Sequence, residues 1–148
     1  MIIAFLFSFL IFILPDSVEH YTEENKSDSD FLILLIHWED IQCPICFENL
    51  IQTAEVLQDN SPGSIVYGLV ISVENSIIKE SVFQKQVKAW KQANALRFPV
   101  FTISIPKKHP MYKLKSGLIF TNREGGHFQF LAFPIPVQRI MSLIEINR

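Results

Sequence analysis

FLILLI (Phe31–Ile36), then HWEDIQ (His37–Gln42), then Cys43-Pro44-Ile45-Cys46, is the stretch whose reading decides the fold. FLILLI is a continuous apolar run of strand length with no alternation, which predicts a strand buried on both faces. His37 to Gln42 reads as a loop. Beyond the cysteines, Phe47, Leu50, Ile51, Ala54 and Leu57 recur at helical spacing. Pro44 suits the first turn of that helix, where no backbone N–H is needed. The chain's two cysteines therefore sit where a buried strand hands over to a helix. Unpaired N–H groups and the positive end of the helix dipole favour a thiolate there. A residue three positions on reaches the first sulfur, the arrangement that thiol–disulfide exchange needs.

Composition narrows the alternatives. A chain of 148 residues is one domain's length, and 49% apolar residues suffice for a core. The formal charge of −2 and the lack of a Lys/Arg block give no footprint for nucleic acid. Two cysteines are too few for a disulfide scaffold, an iron–sulfur cluster or a four-cysteine zinc site. No two of His20, His37, His109 and His127 have the spacing of a zinc-finger pair. No cofactor is expected.

Met1 to Leu14 is almost wholly apolar and ends at Pro15-Asp16. A bilayer span needs roughly 20 apolar residues, whereas about 10–14 suits a signal-peptide core. Residues 1–15 are therefore expected to be a signal peptide or membrane anchor, with any anchoring through residues 1–14. Residues 16–30, rich in acid, Ser and Asn, form a polar linker, and 31–148 the folded domain. The implied location is secreted, periplasmic or membrane-anchored, where disulfides form.

Further along, Ile65–Ser72 (IVYGLVIS) predicts a second buried strand after a turn at 59–63. Ser76 to Leu96 predicts a helix with Ile77, Ile78, Val82, Val87 and Trp90 on one face. Phe98–Ile105 predicts a third strand with Pro99 at its start, and 106–115 a loop. Gly117–Thr121 and His127–Ala132 predict a hairpin about a turn at 122–126. Val137, Ile140, Met141 and Ile144 give a terminal helix face. Three buried strands joined by helices should be parallel.

This order, with FLILLI before the dithiol, Trp38 ahead of it, CPIC opening a helix and a hairpin before the last helix, resembles the thioredoxin-like superfamily over residues 31–148. Within it, the exported TlpA/ResA-type thiol–disulfide proteins are most similar. The resemblance implies an α/β fold: a central mixed sheet, parallel strands plus an antiparallel C-terminal hairpin, flanked by helices. It implies an exposed nucleophile at Cys43 and a buried resolving thiol at Cys46. The substrate groove would be formed by Trp38, Pro44, Ile45, Ser116 and Gly117. Partners would be protein thiols or disulfides and an upstream redox partner.

Two residues depart from the family pattern. Its cis-proline place, before the fourth strand, holds Lys115-Ser116-Gly117, and Pro110 lies too early. A cis bond without proline costs about 2.5–4 kcal/mol, so a trans bond is expected. The buried acid of the first strand is missing from FLILLI. His37 is the nearest candidate proton relay, with Glu39 and Asp40 behind it. Pro44 and Ile45 bring no charge between the sulfurs, so a modest lowering of the Cys43 pKa and a reducing or intermediate potential are expected. The alternative is a thioredoxin-like binding module, with the dithiol holding copper or zinc, completed by His109 or His127, or a protein partner. A third reading, a structural disulfide within one helical turn, would add little loop-closure stabilisation.

Overall fold

The computed structural model describes residues 31–41, 43–61, 64–74, 78–121 and 128–146. The predicted leader and linker, the hairpin turn and His127 lie outside these residues.

Strand β1, Phe31–His37, is the centre of the sheet. Leu32 to Ile36 are all buried, as a run without alternation requires. On one side β1 pairs in parallel with β2, Ile65–Val73, which pairs in parallel with β3, Val100–Ile105. On the other side β1 pairs antiparallel with β4, Gly117–Thr121, which pairs antiparallel with β5, Phe128–Ala132. The strand order is β3-β2-β1-β4-β5. The sheet is open and mixed, and the parallel and hairpin pairings match the sequence expectation.

The loop expected at 37–42 is a different structure. His37 completes β1, and Trp38–Ile41 forms a short helix, α1. Helix α2 runs from Pro44 to Asn60, with Pro44 in its first turn and Cys43 as its N-cap. Helix α3 spans Glu80–Ala93, shorter than the predicted 76–96. Lys79 is extended and caps it, and Ala95 turns the chain out at a φ of 51°. The buried face of α3 is Phe83, Val87 and Trp90, whereas Ile78 and Val82 are exposed. The helix starts four positions later than predicted, so Ile78 precedes it and Phe83 joins Val87 and Trp90 on the buried face. Pro99 stands just before β3, where its carbonyl accepts the Gly68 N–H at 2.9 Å. A 3₁₀ turn, Pro110–Lys113, occupies the predicted 106–115 loop. The terminal helix α4 is Val137–Ile146.

The sheet separates two apolar layers. Leu32, Leu34 and Ile36 of β1 point to one, where they meet Leu50, Ala54 and Leu57 of α2, Phe83 and Val87 of α3, and Ile140 and Ile144 of α4. Ile33 and Leu35 point to the other, with Leu69, Ile71, Ile119 and Met111 of the 3₁₀ turn. This alternation along one strand brings the end of β1, the start of α2 and the 110–116 segment together at the strand's carboxyl end.

Candidate functional site

Cys43 has extended backbone (φ −87°, ψ 114°), and its carbonyl accepts the Phe47 N–H at 2.8 Å, the first bond of α2. Its own N–H donates to the Asp40 carbonyl at 3.1 Å, tying α1 to the cap. Both cysteines are free thiols and both are half-buried, so the expected contrast between an exposed Cys43 and a buried Cys46 is not one of burial.

The contrast is electrostatic. The Cys46 thiol donates to the Cys43 sulfur, and this holds the Cys43 pKa below the ordinary thiol value. The Cys46 backbone N–H adds to the effect and the Ile45 N–H supplements it; partial burial and the Asp40 carboxylate oppose it. The same hydrogen bond pushes the Cys46 thiol up, reinforced by burial and by the charges of Cys43 and Asp40. No acid lies in the first turn of α2 to counter the helix N-terminus.

Cys46 faces a groove of about 420 Å³, lined by Glu39 and Asp40, by Tyr112 to Ser116 and by Phe133. Of the groove residues expected from sequence, Ser116 lines it. Trp38, Pro44, Ile45 and Gly117 do not. Trp38 packs edge-on against Phe83 (centroids 5.4 Å apart, planes at 85°), which anchors α1 to α3. Ile45 is 76% exposed beside the dithiol. Gly117 works from beneath: a Cβ there would lie 2.3 Å from the Leu131 carbonyl oxygen and 2.7 Å from the Phe130 ring. Only glycine lets β5 approach β4 this closely.

Ser116 joins three segments. Its hydroxyl accepts the His37 N–H at 2.8 Å and donates to Asp40 Oδ2 at 2.5 Å, and its carbonyl accepts the Phe133 N–H at 2.9 Å. The residue is 4% exposed, so each bond is shielded from water. The Lys115–Ser116 bond is trans, as expected; among the described residues the cis bond is Phe133–Pro134, which follows β5 and begins at the residue bonded to the Ser116 carbonyl. His37 Nε2 is bonded to the Leu114 carbonyl, and its ring stands edge-on to Tyr112 at 5.6 Å. The charge acting on both sulfurs is that of Asp40, not His37. The sequence placed Asp40 only behind His37. Its partner Ser116 is 76 residues away, and no local pattern signals that bond. Asn49 was also missed. Its amide donates to the Ile135 carbonyl at 3.1 Å and accepts the Ile135 N–H at 2.9 Å, fixing the segment after β5 to α2. His109 serves the 3₁₀ turn, its Nδ1 accepting the Met111 N–H at 3.1 Å. Among the described residues no cluster of three His, Cys, Asp or Glu side chains could hold a metal.

Solved structures share this fold. The N-terminal domain of PilB from Neisseria gonorrhoeae superposes with a TM-score of 0.57 at 18% identity, covering 81% of this chain and 78% of that one. The pneumococcal exposed lipoprotein thioredoxin Etrx1 from Streptococcus pneumoniae gives 0.57 at 12% identity, covering 83% and 88%. The fold is thioredoxin-like. StoA from Bacillus subtilis, at 0.52 and 15% identity, covers 79% of this chain and 83% of its own. No family model and no curated sequence matches the chain. In this thioredoxin-like domain, Cys43 and Cys46 form a CxxC-type pair at the N-terminus of α2.

Proposed function

We propose that the protein is an extracytoplasmic thiol–disulfide oxidoreductase. The observation that carries this reading is the placement of two free thiols at one helix N-terminus, Cys43 as the N-cap of α2 and Cys46 in its first turn, where the thiolate is favoured at Cys43. Cys43 is then the thiolate that attacks and Cys46 the thiol held in reserve.

The exchange balances within the dithiol. Cys43 Sγ attacks one sulfur of a partner's disulfide; a new S–S bond forms, the partner's S–S bond breaks, and its other sulfur leaves as a thiolate. Cys46 gives up its proton and attacks Cys43 Sγ, closing the Cys43–Cys46 bond and releasing the partner's second sulfur. The partner gains two electrons and the dithiol loses two. An upstream dithiol reductant returns the pair to the thiol state. Ser116 and Cys46 line the same groove, and His37 holds the Leu114 carbonyl beside it. The hydrogen bond to Cys43 and burial, with smaller help from the charges of Cys43 and Asp40, keep the Cys46 thiol protonated until attack.

An extracytoplasmic site of action rests on the apolar Met1–Leu14 run and the polar 16–30 tract, read as export signal or anchor and linker. No helix among the described residues is long and apolar enough to cross a membrane. The exchange is tested with Cys46→Ala. This variant should accumulate a mixed disulfide through Cys43 with a peptide disulfide, visible by mass spectrometry, while the parent chain releases reduced peptide. Full turnover without Cys46 would refute its resolving role.

A further inference from the structure

The segment before β4 carries positive charge that the exchange chemistry does not use. The segment 106–115 carries Lys107, Lys108, Lys113 and Lys115 and no acidic residue, in a chain whose formal charge is −2. All four lysines are exposed, and none forms an ion pair among the described residues. Lys113 and Lys115 line the groove together with Cys46.

The segment is held in place. Met111 is 1% exposed and anchors it in the core. Within the 3₁₀ turn, the Tyr112 N–H donates to the His109 carbonyl at 2.9 Å and the Leu114 N–H to the Met111 carbonyl at 3.2 Å. The Leu114 carbonyl is bonded to the His37 ring, and Tyr112 packs edge-on to it. Lys113 and Lys115 are therefore presented at a fixed place beside Cys46. Glu39 and Asp40 also line the groove, and the Asp40 carboxylate is engaged by the Ser116 hydroxyl.

We propose that Lys113 and Lys115 form a docking surface for an acidic polypeptide segment flanking the disulfide of the partner, with Lys107 and Lys108 of the same segment adding to its positive charge. This rests on the thiol-exchange reading and adds the partner's charge. Such a surface acts mainly on the encounter rate, and its effect weakens with salt.

The test uses the full-length reduced chain and three peptides, each closed by one disulfide and identical apart from flanking glutamates, glutamines or lysines. Stopped-flow rates are measured at low salt and at 1 M salt, with a small aromatic disulfide as a further substrate. The glutamate peptide should react about tenfold faster than the glutamine peptide at low salt. The two rates should converge at 1 M, where the Debye length is about 3 Å. In the Lys113→Gln/Lys115→Gln double variant the glutamate-to-glutamine ratio at low salt should fall toward unity. Exchange at equal rates with all three peptides, or fastest with the lysine peptide, would overturn the docking surface and leave the exchange reading intact. Failure of every substrate, the small disulfide included, would overturn the exchange reading and the docking surface with it.

Discussion

Cys43 and Cys46 are the same residue type three positions apart, with similar burial, and yet their acidities move in opposite directions. The cause is directional: the Cys46 thiol and the N–H groups of Ile45 and Cys46 converge on one sulfur. Cys43 should therefore alkylate with a pH midpoint below that of an ordinary thiol, with Cys46 unreactive until higher pH. Asp40 opposes the thiolate at both positions. Asp40→Asn removes that charge and should move the Cys43 midpoint further down; an upward shift in the iodoacetamide rate profile would contradict the assignment. Ser116→Ala deprives the His37 N–H and Asp40 of a buried partner. It should cost about 1–3 kcal/mol of stability in urea unfolding, the penalty for leaving such groups unsatisfied. The cysteines were legible in the sequence because helix-terminus chemistry is local. The Ser116 bonds were not, because both partners lie more than 70 positions away and serine carries no spacing signal.

At the scale of elements, β1 was the most legible feature, since an unbroken apolar run has few other places to go in a fold of this length. Leu34, fully buried at its centre, tests it: Leu34→Ala should cost about 2–5 kcal/mol. The start of α3 was misread because Ile77, Ile78 and Val82 extend the apolar period upstream. In the structure Phe83 takes the core position and Ile78 and Val82 are left exposed. The α1 turn was read as a loop because one turn of helix is too short to show a period. Gly117→Ala tests the β4–β5 contact. A Cβ at 2.3 Å from the Leu131 carbonyl oxygen forces the hairpin apart, which should lower stability by about 1–3 kcal/mol and disturb Ser116 next to it. A denaturation midpoint unchanged from the parent would mean that β5 yields freely there.

Across the whole molecule, the mixed sheet gathers residues far apart in sequence onto one groove. Glu39 and Asp40 come from α1, Cys46 from α2, and Tyr112 to Ser116 from the segment before β4. The element order made that assembly predictable. The charges that line it were not, since they depend on which side chains the 3₁₀ turn presents. The central claim is that Cys43 and Cys46 work as one redox couple with no charged group between them. The most direct measurement is a redox-buffer titration of the full-length chain, read by alkylation of Cys43 and by mass. The account predicts a reversible two-electron couple joining both sulfurs, with a midpoint between about −200 and −270 mV. No reversible couple, or a midpoint as oxidising as about −120 mV, would contradict it.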